Sequence, residues 1–283
     1  MTSNTPRPTR SEQREAARAK AKAMREQQKK GDRRNRILIQ LGIATSVLVA
    51  TGAVVFAVYS ASTQSQAIPV NATFNDGVKV GNELKLFTPT STPPETEQPP
   101  VEIVIYVDYQ CPICAIFEIP NNDQLRNFVE TGAATLEVHA LSFLDRASPN
   151  QFSSRAANAA YCVADYSPDS FFDYSARIFL SQPTEMTPGP ENSDLIAFAE
   201  EVGASNIEQI TSCIDTKQFK QFVEDSTTRA LKDPIPGTDN KVTGTPAIFV
   251  NGQQYTYSTN DELASPARFA QFVQLVAAET VTQ

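Results

Sequence analysis

With 283 residues, 41% of them hydrophobic, the chain is long enough to bury a substantial core and suits one globular domain with accessory segments. Its charge is uneven: residues 1–36 carry twelve Lys and Arg against four Asp and Glu, although the whole chain is net −8. That asymmetry excludes one uniform environment for the chain. A nucleic-acid role for the basic run is disfavoured too, since neither aromatics nor a binding motif accompany it.

Residues 1–36 are rich in Ala, Arg, Lys and Gln without an apolar stripe and read as a solvated basic tail. From Ile37 to Tyr59 the chain runs ILIQLGIATSVLVATGAVVFAVY, 23 residues without a charge. As a helix rising about 1.5 Å per residue it makes about 35 Å, enough to cross a hydrocarbon core of about 30 Å with some tilt. A cleaved signal peptide is the competing reading, but the run is long for one, and Ser60, Ala61 and Ser62 make a poor cleavage site. Arg33, Arg34 and Arg36 precede the span, and no Lys or Arg follows it until Lys79. The positive-inside rule therefore puts the N-terminus in the cytoplasm and the acidic bulk outside. The expectation is a single-pass cell-membrane protein, in contact with lipid, whose main domain is extracytoplasmic. Such a compartment tolerates disulfides, and the chain's four cysteines are an even number.

Residues 60–100 read as a tether with an entry strand: VKVGNELKLF (78–87) is a short edge element ahead of the Pro- and Thr-rich TPTSTPPETEQPP. VEIVIYV (101–107), mostly β-branched, has the form of a central strand buried on both faces. It runs directly into YQCPIC (109–114), after which a helix is expected from Cys111 to about Glu130. Ile116, Ile119, Leu125, Phe128 and Val129 are its apolar positions, and Pro120 is an expected kink. TLEVHALSF (135–143) is a second strand, completing a βαβ unit.

Residues from about 150 to 235 read as a helical insert: SSRAANAAYCVAD, FFDYSARIFLSQ, DLIAFAEEVG, IEQITSCI and FKQFVEDSTTRALK, divided by the loop PTEMTPGPEN. TPAIFVNGQQYTY (245–257) has the Asn-Gly pair of a β-hairpin, and a last helix is expected over roughly 262–280. The domain thus spans 78–283 in the order β, α, β, helical insert, β, β, α.

The cysteine pair admits three readings: a metal clip, a structural disulfide or a redox site. A thiol–disulfide exchanger needs one exposed thiol of lowered pKa and a second thiol in reach. At a helix N-terminus, Cys111 would face unpaired N–H groups and the positive end of the helix dipole, which favour a thiolate. Pro112 suits the first helical position, and Cys114 follows within reach. Cys111 is therefore the expected nucleophile and Cys114 the resolving thiol. A zinc clip would need two more ligands, whereas Cys162 and Cys213 are 51 residues apart and the only His is His139, inside a strand. A structural disulfide across so short a loop would stabilise little. No metal and no cofactor are expected.

VDYQCPIC followed by VTGTPAIFVNGQ resembles the DsbA-like branch of the thioredoxin superfamily, over residues from about 78 to the C-terminus. The resemblance implies an α/β chain (α+β in some schemes), a thioredoxin fold with an inserted helical subdomain preceded here by one transmembrane helix. It implies a cis bond at Thr245-Pro246 facing the cysteines, with both residues binding an extended substrate segment. The implied activity is that of an extracytoplasmic oxidoreductase that introduces disulfides into unfolded secreted and cell-surface proteins. The implied reoxidant is a membrane partner of the vitamin K epoxide reductase type. Reduction or isomerisation by the same cysteines is the other enzymatic reading, and a non-catalytic peptide-binding module is the alternative outside enzymes.

Two positions depart from the family pattern. Ile105 stands where many relatives keep a buried acid for proton transfer, and Ile113 stands where the best-known oxidase has a His that helps hold the thiolate. Pro112 and Ile113 therefore tune the thiolate, and a weaker oxidant is expected. Asp108 matches the family's usual Asp, with loop organisation or capping as its role. Cys162 and Cys213, both in insert helices, are either two buried thiols or a structural disulfide; actinobacterial members often have such a second bond. Closing a loop of about 50 residues would contribute about 4 kcal/mol in the chain-entropy model. His139 reads as a packed or edge side chain, and Glu118 as a solvated helix residue, with a place near the cysteines as its other reading. Asn71-Ala-Thr matches a glycosylation sequon of little weight here.

Overall fold

The computed structural model describes residues 22, 24, 25, 67–72, 74–90, 101–235 and 238–281. The expected tail (apart from residues 22, 24 and 25), the span at 37–59 and much of the tether lie outside the described residues; among these no helix is long and apolar enough to cross a membrane. Residues 66–283 form one compact unit.

Its sheet has six strands in the order β2-β1-β4-β3-β5-β6. β1 (Val78–Gly81) turns through a 3-10 segment at Asn82–Leu84 into β2 (Lys85–Leu86), so the entry element is a small hairpin. β3 (Val101–Val107) lies in the middle, parallel to β4 (Ala134–Ala140) and antiparallel to β5 (Ala247–Val250). A parallel pair cannot be closed by a tight turn, and α1 (Pro112–Glu130) makes the crossover. In register, Ile105 lies between Val138 and Ile248, and Tyr106 between His139 and Ala247. β5 returns through Asn251 and Gly252, at φ 44° and 78°, to the short β6 (Gln253–Gln254). Both central residues of such a turn need positive φ, which Asn and Gly supply at least cost.

Ile103, Ile105 and Val107 face the larger core, which includes Phe117, Leu125 and Val129 of α1. Val104 and Tyr106 point into a smaller core with Phe249, Leu141, Ile235 and Val242. The sequence phase of α1 needs correcting. Its buried residues are Cys114, Phe117, Asn121, Leu125 and Val129, whereas Ile119 is 46% exposed and Ile116 and Phe128 are half-buried. The face is set by Cys114. Asn121 can occupy a core position because its amide donates to the carbonyls of Phe117 (2.8 Å) and Leu263 (3.3 Å). α1 continues through Pro120 as one helix.

The insert comprises α2 (Phe152–Tyr166), α3 (Phe171–Leu180), α4 (Asn192–Glu201), α5 (Ile207–Thr216) and α6 (Lys220–Lys232). Ala156, Ala157, Ala159, Ala160 and Ala164 are all buried, so α2 runs through the middle of the insert with its neighbours close around it. Cys162 of α2 and Cys213 of α5 are disulfide-bonded, with their Cα atoms 5.9 Å apart. The last helix is also two elements, α7 (Asn260–Leu263) and α8 (Pro266–Val281). Thr259 caps α7 with its hydroxyl, and the break falls at Ala264 and Ser265, because the residue before a proline avoids the helical region.

Candidate active site

The CPIC segment sits where β3 ends. Cys111 is the N-cap of α1, with extended dihedrals, and Pro112 occupies the first helical turn, where its missing N–H removes a donor that had no partner. Cys111 N–H donates to the Asp108 carbonyl at 2.9 Å, and the Cys111 carbonyl receives Cys114 N–H at 3.1 Å. Both cysteines are free thiols. Cys111 is 5% exposed and Cys114 fully enclosed.

Their environments push the two sulfurs apart. The Cys111 thiol is lowered to about 6, chiefly by a hydrogen bond from Cys114, then by the Thr245 side chain and the backbone N–H groups of Cys114 and Ile113; burial opposes these. Burial drives Cys114 well above the ordinary thiol range, and its contact with Cys111 adds to that. At neutral pH these surroundings favour the thiolate at Cys111, whereas burial keeps the proton on Cys114. Pro112 and Ile113 are half-buried; Ile113 packs against the core and contributes its N–H to the thiolate.

Thr245 and Pro246, joined by a cis bond, come from the segment that enters β5. Cys111 Sγ lies 3.2 Å from the Thr245 carbonyl, donating to it as a thiol. The buried Thr245 hydroxyl has no hydrogen-bond partner of its own and lies against both sulfurs, favouring the ionised form of each.

Asp108 is fully buried. One carboxylate oxygen accepts Gln110 N–H (2.8 Å); the other accepts Leu144 N–H (2.7 Å) and the Ser153 hydroxyl (2.6 Å). Burial outweighs these bonds and pushes the carboxyl up to about 6. Asp108 thus ties the cysteine loop to the loop after β4 and to α2. Its oxygens are taken by these three partners rather than by sulfur. Ile105, six residues before Cys111, is wholly inside the core and leaves no ionisable group there.

Cys162 and Cys213 lie in the insert, and their bond holds α2 to α5. His139 is buried, stacks on Tyr106 at 4.2 Å and bonds Glu137 at 2.8 Å. Glu118 is half-buried rather than solvated, and burial pushes its carboxyl up to about 8. Among the described residues no cluster of His, Cys, Asp and Glu could hold a metal ion.

Two contributors, Tyr257 and Gln182, have no local signal in the sequence, and Tyr109 of YQCPIC is fixed by a distant helix. Tyr257, just past the hairpin, is near enough to feel both cysteine charges. Tyr109 is held by α3: its hydroxyl is 2.9 Å from Ser175 Oγ, and its ring lies 4.9 Å from that of Phe179. Gln182 Nε2 donates to the carbonyls of Tyr109 (2.8 Å) and Cys111 (2.9 Å). Only the fold brings Tyr257 and Gln182 to the cysteines.

A family model described as Thioredoxin matches residues 96–273. The oxidised DsbA of Mycobacterium tuberculosis is 30% identical, with a TM-score of 0.57 over 71% of this chain and 93% of that one. The chain belongs to the DsbA-like branch of the thioredoxin superfamily. Other comparisons agree with this DsbA-like assignment. The reduced form of the M. tuberculosis disulfide bond oxidoreductase DsbG is also 30% identical, with a TM-score of 0.56, covering 75% of this chain and 97% of that chain. The probable disulfide bond formation protein D of Bacillus anthracis is 24% identical over 219 residues, 76% of this chain and 88% of the relative. This DsbA-like protein is a thiol–disulfide oxidoreductase on a thioredoxin fold, a mixed sheet with helices.

Proposed function

We propose that this protein introduces disulfide bonds into unfolded secreted and cell-surface proteins, with Cys111 and Cys114 as its catalytic pair. The observation that carries the reading is the division of labour between the sulfurs: Cys111 caps α1 with its Sγ 3.2 Å from the Thr245 carbonyl of the cis Thr245-Pro246 segment, where its thiol is lowered, and the enclosed Cys114 retains its proton. In the oxidised protein a substrate thiolate attacks Cys111 Sγ, the Cys111–Cys114 bond breaks, and Cys114 leaves with the electron pair and takes up a proton. A second substrate thiolate then attacks the substrate sulfur of the mixed disulfide. Cys111 departs as a thiolate, and the substrate leaves with a new disulfide and two electrons fewer. The lower a thiol's pKa the better it leaves, so the environment of Cys111 favours this second step.

Thiolate stabilisation also sets the driving force, because it favours the reduced enzyme. The lowered pKa therefore favours an oxidising potential, and with Ile113 unable to donate a hydrogen bond to the thiolate from its side chain the protein is a weaker oxidant than one poised at about −120 mV. Thr245 and Pro246 bind the extended substrate beside Cys111, Pro112 and Ile113 tune the thiolate, Asp108 organises the loop, and the Cys162–Cys213 bond is structural.

Residues 37–59 anchor the protein in the cell membrane as one span, with residues 1–36 in the cytoplasm and the domain at 78–283 outside, tethered by 60–100. The charge step across the span supports that orientation. The electrons gathered on CPIC pass to a membrane oxidase of the vitamin K epoxide reductase type. The test is oxidative refolding of a reduced, unfolded secreted protein by the oxidised enzyme. Catalysed refolding that Cys111→Ser abolishes is expected; catalytic reduction of insulin without refolding activity would reverse the direction.

A further inference from the structure

We infer that Gln182, in the loop after α3, is a positioning residue through which the helical insert sets the reactivity of Cys111. The inference rests on the reading of Cys111 as the redox nucleophile. Gln182 has two amide protons, and both are committed to the cysteine loop, one to the Tyr109 carbonyl at 2.8 Å and one to the Cys111 carbonyl at 2.9 Å. The backbone that carries this side chain is itself fixed, since Gln182 N–H donates to the Phe179 carbonyl at 3.2 Å and Ser181 N–H to that of Ile178 at 3.0 Å. The donor is therefore delivered from a helix end. The same helix grips Tyr109 at two more points, the Ser175 hydroxyl and the Phe179 ring. All four contacts converge on Tyr109 and Cys111.

Two consequences have the same sign. A carbonyl oxygen is the negative end of a dipole, and the Cys111 carbonyl belongs to the residue whose sulfur must carry a negative charge. Amide protons at that oxygen and at its Tyr109 neighbour offset the repulsion. Holding these carbonyls also fixes the first turn of α1, whose Ile113 and Cys114 N–H groups favour the thiolate. Loss of the Gln182 donors should therefore raise the Cys111 titration and move the dithiol–disulfide balance towards the disulfide. A carboxylate there would face two carbonyl oxygens and add a negative charge near the thiolate.

The test uses the full chain, with Gln182→Met keeping the volume without donors, Gln182→Glu reversing the charge, and Gln182→Lys restoring N–H donors. Thiolate absorbance is titrated against pH, and the redox equilibrium with glutathione is measured. Gln182→Met is expected to titrate above the wild-type value near 6 and to shift the equilibrium about three- to tenfold towards the protein disulfide, the scale of one or two hydrogen bonds. Gln182→Glu should shift both further, and Gln182→Lys should restore both. Gln182→Met and Gln182→Glu proteins that titrate and equilibrate like an active wild type overturn the role of Gln182 alone. A wild type that neither titrates low nor exchanges with glutathione overturns the reading of CPIC, and this inference with it.

Discussion

Asp108 accepts the Ser153 hydroxyl at 2.6 Å, so the acid three residues before Cys111 is fastened to the first helix of the insert. Its carboxyl titrates near 6 in the folded protein against about 3.9 in an unfolded chain. Between those values the folded state holds more protons, and stability falls as pH climbs from about 4 to 6, by roughly 3 kcal/mol from this group. Urea unfolding at pH 4, 5, 6 and 7 should show that slope in the wild type and a smaller one in Asp108→Asn. Equal slopes would mean that Asp108 ionises as freely in the folded chain as in the unfolded one.

Cys114 is both the resolving thiol of the proposed mechanism and the chief hydrogen-bond donor to Cys111. Cys114→Ala should therefore do two things at once. The Cys111 absorbance titration should rise from near 6, and mixed disulfides with surface proteins should accumulate in cells and vanish on reduction. A variant that titrates like wild type and traps nothing would count against both assignments.

Thr245 contributes through its side chain as well as through its carbonyl. Thr245→Val keeps the shape and the backbone contact at 3.2 Å while removing the hydroxyl from the sulfurs. The Cys111 titration should move upwards, with thermal stability nearly unchanged because the hydroxyl has no other partner. An unmoved titration would leave the carbonyl as the only contribution of Thr245 at the sulfurs.

The Cys162–Cys213 bond closes a loop across 51 residues of sequence, and in the chain-entropy model its loss costs about 4 kcal/mol. The double variant Cys162→Ala with Cys213→Ala should unfold at lower denaturant yet exchange with glutathione at CPIC at a near wild-type rate while folded. A collapse of exchange in a folded double variant would implicate this bond in the chemistry.

The parts of the fold readable from sequence are those decided by neighbours along the chain. VEIVIYV reads as a doubly buried strand because a β-branched run has few other uses, Pro112 marks a helix start, and Asn251-Gly252 marks a tight turn. Ile119 was misplaced because the apolar period of α1 admits two phases, and the buried one depends on Asn121 meeting the Leu263 carbonyl from 142 residues away. Gln182 and Tyr257 were illegible for the same reason: each reaches the cysteines only after the insert and the hairpin have packed. The break at Pro266 has a local cause in the proline, although the apolar pattern runs on across it.

The ladder that pairs Tyr106 with Ala247 also works as a ruler. Cys111 follows one strand by a few residues and Thr245 precedes its neighbour by two, so the gap between Cys111 and the facing wall is measured across a single rung. The long insert between β4 and β5 does not enter that measurement. Away from Ser153 and Gln182, which hold the cysteine loop, it can gain or lose residues without changing that spacing, whereas one residue added between Pro246 and Ile248 would shift the wall by one strand position.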